Sequence, residues 1–146
     1  MQLVGLNAMK GMFFDRAGVQ RAVDAATRRV LSRFGAFVMT RSRTSIRTRK
    51  GISAPGSPPH SHTGLLRKGI LFGYDTARQS VVVGPVVGRS GGIASRALEY
   101  GGSSVVRNRR GGSQPTRVKS RPFMQPALAA ELPGLPAMWR DSVRKG

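Results

Sequence analysis

The chain has no cysteine, only two histidines, and six acidic residues among 146. Without cysteine neither a disulfide nor a thiolate metal site can form, so folding does not depend on an oxidising compartment. His60 and His62, with so few carboxylates available, do not complete a tetrahedral metal site. They read as exposed loop residues, and neither a metal nor another cofactor is expected. The acids are scattered along the chain, which gives little support to a paired-carboxylate acid–base site. No serine sits in a nucleophile-elbow pattern. The segment Gly88-Arg89-Ser90-Gly91-Gly92 lacks the Gly-Lys-Ser/Thr of a phosphate-binding loop and reads as a flexible turn. No catalytic constellation emerges, and an enzyme is not expected. There is no run of about 18 apolar residues, so no membrane-crossing helix is expected. The segment Met1–Phe14 is mildly apolar with one lysine. It lacks the long apolar block and small-residue cleavage site of a secretory signal, and it reads as part of the mature protein.

What the chain has in abundance is positive charge. It carries 25 Lys plus Arg for a net charge of +19. Such a chain repels itself when compact and attracts polyanions, so nucleic acid or an acidic protein partner is the first expectation. Arginine outnumbers lysine 20 to 5, a bias that suits bidentate contacts with carboxylates and phosphates alike. The charge is uneven: residues 1–50 carry a net +9, residues 51–100 a net +3, and residues 101–146 a net +7. A nearly neutral scaffold therefore carries two basic attachments.

Residues 15–48 hold the clearest helical signal. Val19, Val23, Ala26, Val30, Phe34, Phe37 and Arg41 recur at three- or four-residue spacing, and Asp15 stands where an N-cap belongs. Residues 51–63 contain Pro55, Pro58 and Pro59 and read as an irregular connector. Leu65–Tyr74 reads as a strand, or as a short helix running into one. Asp75–Arg78 reads as a turn, and Gln79–Val87, rich in valine, as the partner strand of a hairpin. Gly84-Pro85 suggests a bulge or an edge position. Ile93–Tyr100 predicts a short helix closed by Gly101. The segment 102–120 is glycine-rich and basic without an acid, and reads as a flexible loop or arm, with a β-hairpin as the alternative. A second helix is expected from Pro122 through Leu132, stopped by Pro133-Gly134, and a last one over Ala137–Arg144. The chain thus predicts a single α+β domain over residues 1–146. A long N-terminal helix and C-terminal helices pack on a small antiparallel sheet, with residues 102–120 as a basic arm.

Arg107, Arg109, Arg110, Arg117 and Lys119 in that arm are candidate contacts to DNA phosphates or to a protein partner. The chain has nine aromatics, none of them within this basic run, which argues against stacking on single strands. Any DNA contact is therefore expected to be with the backbone, without sequence specificity.

Three separated motifs stand in order. The first is Pro58-Pro59-His60-Ser61-His62-Thr63-Gly64-Leu65-Leu66-Arg67, followed by Ile70 and by Val81-Val82-Val83-Gly84-Pro85. The second is Ala97-Leu98-Glu99-Tyr100-Gly101-Gly102. The third is Arg121-Pro122-Phe123-Met124-Gln125-Pro126-Ala127-Leu128. Together, over about residues 15–143, they resemble the tail-component family of lambdoid and related tailed phages, variously called head–tail joining, neck or tail-completion proteins. The third motif is the most distinctive. This chain departs from the family pattern in its greater basicity and in the extra length between Gly102 and Arg121.

The resemblance implies a structural virion protein of the phage neck, made in the host cytoplasm. It implies a homo-oligomeric ring, six-fold as the first expectation, where the portal and its connector meet the tail proteins and surround the DNA. The class that competes with it is a non-sequence-specific nucleic-acid-binding protein. The family motif marks Thr63, Gly64, Leu66, Glu99, Tyr100, Gly101, Arg121, Pro122, Phe123 and Pro126. Glu99 is the only acid between Asp75 and Glu131. A carboxylate in so basic a field is expected to pair with an arginine, and Arg121 is the first choice. The alternative leaves Glu99 on a solvated helix face. Pro122, Phe123 and Pro126 are expected to fix the entry of the following helix and bury the Phe123 ring against the sheet. Thr63-Gly64 is expected to turn the connector into the strand.

Overall fold

A computed structural model describes residues 15–86, 92–107 and 111–143; of residues 92, 93, 106 and 107 it describes the backbone alone. The expectations for Met1–Phe14, for the glycine-rich turn before Gly92, and for Arg109, Arg110 and Arg144 fall outside the described residues.

Helix α1 spans Arg16–Ser45 and is 30 residues long. Asp15 starts it by accepting a hydrogen bond from the Gly18 N–H at 2.9 Å, as the sequence predicts. At its other end the chain turns extended at Ile46, which is buried. The buried face is Ala26, Val30, Phe34, Val38 and Ser42. This row departs from the predicted stripe. Val19, Val23 and Phe37 are exposed, and Arg41 is an exposed side chain paired with Glu131. A fixed step of four residues winds slowly around a helix of 3.6 residues per turn, so the contact row drifts off any stripe drawn by alternating threes and fours.

The connector after Ile46 has no regular structure, apart from a bridge between Arg47 and His60. Its end forms a short helix α2 (Leu65–Gly69), which runs straight into β1 (Ile70–Asp75). Thr63-Gly64 therefore leads into a helical turn, with the strand only after it; Gly64 adopts φ +75, a conformation that glycine tolerates best. Asp75 accepts from the N–H groups of Ala77 and Arg78 and closes the turn to β2 (Ser80–Pro85). β1 and β2 pair antiparallel without a bulge, and Pro85 lies opposite Ile70 on a strand that has a free edge.

Phe72, Tyr74, Val81 and Val83 share the sheet face that meets α1, whereas Leu71 and Val82 belong to the exposed face. The approach of helix and sheet is set by Gly35. A Cβ there would stand 2.5 Å from Val81 Cγ2 and 3.1 Å from Phe72 Cδ2. Gly35→Ala therefore sets alanine's helix preference of about 1 kcal/mol against overpacking of about 1–3 kcal/mol on a stiff β-branched neighbour. The expected result in chemical denaturation is a net loss of about 1 kcal/mol, with α1 retained by circular dichroism.

Helix α3 (Gly92–Tyr100) ends at Gly101, which takes φ +76 and donates to the Ala97 carbonyl at 2.8 Å, the predicted C-terminal glycine. The segment read as a flexible arm, with a β-hairpin as the alternative, takes the alternative: it contains an antiparallel ribbon, β3 (Gly102–Arg107) and β4 (Ser113–Val118), in unbroken register. Val105, Val106, Thr116 and Val118 supply β-branched positions that favour strand pairing over a loop. The fold is thus α+β, as predicted, but with two separate two-stranded sheets in place of one.

Helix α4 (Met124–Glu131) continues through a 3₁₀ turn (Leu132–Gly134) into α5 (Leu135–Trp139). Pro133-Gly134 does not stop the chain as expected, because proline is tolerated in a first turn and Leu135 stays helical.

Two buried clusters form the core. Phe34, Val38 and Ala127 pack with Val81, Val83, Leu135 and Met138. Ile46, Ile70 and Phe123 pack with Met39, Leu66, Val83, Leu98 and Met124. Val83 belongs to both, so the β1–β2 hairpin, α1 and α4 share one continuous core.

Candidate functional site

The second and third motifs meet through one side chain. Helix α4 has Phe123 at its N-cap position, a residue with no group to cap it. Glu99, from the last turn of α3, supplies what is missing. Its Oε2 accepts from the N–H groups of Phe123 at 2.9 Å and Met124 at 3.0 Å, and its Oε1 accepts from Gln125 at 2.7 Å. A helix leaves its first four N–H groups without internal partners. Here three are bonded to Glu99 and the fourth does not exist, because residue 126 is proline. The positive end of the helix dipole faces the carboxylate, so charge and hydrogen bonding act together. Glu99 is buried, at 8% exposure, and the cap allows a carboxylate to be there.

The expected Glu99–Arg121 pair is not formed. The Arg121 guanidinium donates to the carbonyls of Ser53 at 2.9 Å and Lys119 at 3.1 Å. Its backbone N–H donates to the Leu98 carbonyl at 2.6 Å, and Gly56 donates to the Ser120 carbonyl at 2.9 Å. Arg121 thus straps the proline-rich connector to the strand that leads into α4. Backbone donors at a helix start satisfy Glu99 without ordering a second long side chain, which an arginine partner would have required. The sequence held a signal for this: the three residues before α4, Arg121-Pro122-Phe123, include no Ser, Thr, Asp or Asn, so its cap must come from elsewhere in the chain. Among the described residues the only ion pair joins Arg41 of α1 to Glu131 of α4.

Phe123 is buried against Ile46 and Ile70, so the expected burial of its ring is observed. Pro122 is half-buried beside it, and Leu66 packs on the same cluster. Tyr100 goes the other way: its side chain is 71% exposed. Beside it opens an apolar groove of about 480 Å³, lined by Phe34, Val38, Val81, Val82, Val83, Glu99, Tyr100, Met124, Gln125 and Leu128. Three successive valines line it, as residues do along the free edge of a strand. The valine strand and the second and third motifs, far apart in sequence, therefore border one concave surface.

Thr63 and Gly64 lie elsewhere, in a second cleft with Arg67 and Lys68. Arg117 and Lys119 are exposed on and just beyond β4. The His60 Nδ1–H donates to the Gly51 carbonyl at 2.9 Å, and His62 is exposed. No group of three potential metal ligands occurs among the described residues, and none of their helices is long and apolar enough to cross a membrane. Comparison with protein-family models, with curated proteins and with solved structures returns no match to this chain.

Proposed function

We propose that this chain is a structural subunit of a tailed-phage neck, which assembles with copies of itself into a ring around the path of the genome, between the head connector and the tail. The observation that carries the reading is the convergence of the valine strand and two of the resembling motifs on an unfilled apolar groove. A buried carboxylate and a helix start build the wall of that groove, yet none of its polar groups is arranged for chemistry. A two-stranded sheet is marginal by itself, and a free strand edge beside apolar side chains is a surface for another chain.

A second copy is the occupant that the charge distribution favours. Two chains at +19 repel one another, and the repulsion is least where they meet through this groove, whose lining carries no Lys or Arg. A contact between unlike surfaces of identical subunits either closes into a ring or grows into a filament. Salt shortens the range of the repulsion, so the purified protein is expected to associate more as ionic strength rises.

The test is Leu128→Glu, which places a charge in the groove at a side chain already 44% exposed. The variant is expected to fold as the parent does and to sediment as a monomer where the parent sediments as a closed oligomer. Val19→Glu, equally exposed at the far end of α1, is expected to assemble normally. Unchanged assembly of Leu128→Glu contradicts the groove as the joint.

A further inference from the structure

The second cleft has a chemistry of its own. It lies between the C-terminal part of α1 and α2, with a volume of about 640 Å³. Its walls carry Arg43, Arg67 and Lys68, the hydroxyls of Thr40, Thr44, Thr48 and Thr63, and the backbone at Gly64; no acid lines it. Thr40 and Thr44 stand one turn apart on α1, and Thr48 follows in the extended chain beyond its end. Arg43 is held in place, its Nε donating to the Ile70 carbonyl at 2.9 Å. Its Nη2 also donates to the Lys68 carbonyl at 3.5 Å, which leaves its other guanidinium N–H groups for a ligand. Arg67 and Lys68 are exposed, and among the described residues neither side chain has an ion-pair partner. Arg47, Arg49 and Lys50 continue the positive surface past the end of the helix, and all three are exposed.

We propose that this cleft binds a phosphate of a nucleic-acid backbone, with Arg43, Arg67 and Lys68 as the countercharges and the hydroxyls of Thr40, Thr48 and Thr63 as neutral donors; the Thr44 hydroxyl already donates to the Arg41 carbonyl at 2.9 Å. Fixed cations beside several hydroxyls, without a carboxylate among them, match the oxygen-rich, acceptor-only surface of a phosphodiester. The C-terminus of α1 opposes an anion with the equivalent of roughly half a charge, which three cations outweigh. The run of cations beyond the cleft favours a polymer over a free phosphate ion. Nothing in the cleft is suited to reading a base edge, so binding is without sequence preference. The sequence pointed to the late ribbon as the anion contact. The cleft is a different surface, and it belongs to the single chain, so it stands whether or not the subunit forms a ring.

The experiment is fluorescence anisotropy of a labelled duplex of arbitrary sequence, titrated with the full chain over a series of salt concentrations. Arg67→Gln with Lys68→Gln is expected to weaken binding by at least about tenfold and to reduce the slope of log affinity against log salt by roughly two. Arg117→Gln with Lys119→Gln, on the ribbon, is expected to cost less than the cleft pair. Thr48→Val with Thr63→Val is expected to weaken binding a few-fold and leave the salt slope unchanged, because a hydroxyl displaces no counterion. All of these side chains are exposed, and melting curves check that each variant folds. Equal losses from the cleft and ribbon pairs would mean general charge attraction and would overturn the proposal. So would polyglutamate competing as well as DNA, or inorganic phosphate alone displacing the duplex at equal phosphate concentration.

Discussion

Replacing Glu99 by alanine is expected to lower the stability of the fold by about 3 kcal/mol, among the larger losses that a single side chain causes. Each hydrogen bond to a charged group is worth about 1.5–3 kcal/mol in isolation, but three bonds from one carboxylate to adjacent donors do not add in full. What makes the loss large is the state left behind. The N–H groups of Phe123, Met124 and Gln125 lose their acceptor together, and the hydrogen bond from Phe123 is buried. For a chain of this size the melting midpoint is expected to fall by roughly 10 °C. Glu99→Gln keeps one oxygen acceptor but presents an amide donor to the other N–H groups, so it is expected to recover only a minor part of the loss.

The same substitution separates two accounts of the site. If Glu99 were paired with Arg121, a double-mutant cycle of Glu99→Gln and Arg121→Met would show strong coupling. Arg121 instead holds the Ser53 and Lys119 carbonyls. Its loss is expected to cost about 1–2 kcal/mol and to loosen the connector, with little coupling to Glu99. Equilibrium urea denaturation of the four proteins measures this directly.

The second large effect is expected at Phe123. Its ring is 1% exposed and joins the end of α1, at Ile46, to the first residue of β1, at Ile70. Phe123→Ala removes that contact and leaves a cavity, for an expected loss of about 4 kcal/mol; Phe123→Leu refills part of the volume and is expected to cost about half as much. Phe123 is also the N-cap residue of α4, held by Glu99 through its N–H. The two predictions therefore concern one joint, the carboxylate fixing the backbone and the ring fixing the side chain. Tyr100, next to Glu99 in the chain, is expected to behave in the opposite way. Tyr100→Ala should change stability by no more than about 0.5 kcal/mol, because the ring is already exposed, yet it should weaken assembly through the groove.

The sequence disclosed those features that depend on neighbours along the chain. Asp15 as a cap, the turn at Asp75, Gly101 behind α3 and the pairing of the valine strand all follow from local rules, and all are observed. The features it concealed depend on contacts between distant segments. The face that α1 buries is chosen by the sheet lying against Gly35, so Val19 and Phe37 fit the periodic pattern and still remain outside. The partner of Glu99 is a row of backbone N–H groups, which no side-chain inventory displays. Strands 102–107 and 113–118 are held by backbone pairing, where composition put a loop first and a hairpin second. The cleft of Arg43, Arg67 and Lys68 joins two segments more than twenty residues apart, and the charge of neither singles it out.

The most direct test of the proposed role is imaging of tailed particles that carry this chain, with symmetry-resolved reconstruction of the junction between head and tail. The expected result is a closed ring of copies at that junction, six-fold as the first expectation. Density of a neighbouring subunit should fill the groove between β2 and α4, beside Tyr100 and Leu128. Scattered single copies on the capsid, or a ring whose subunits meet elsewhere and leave the groove empty, would contradict it.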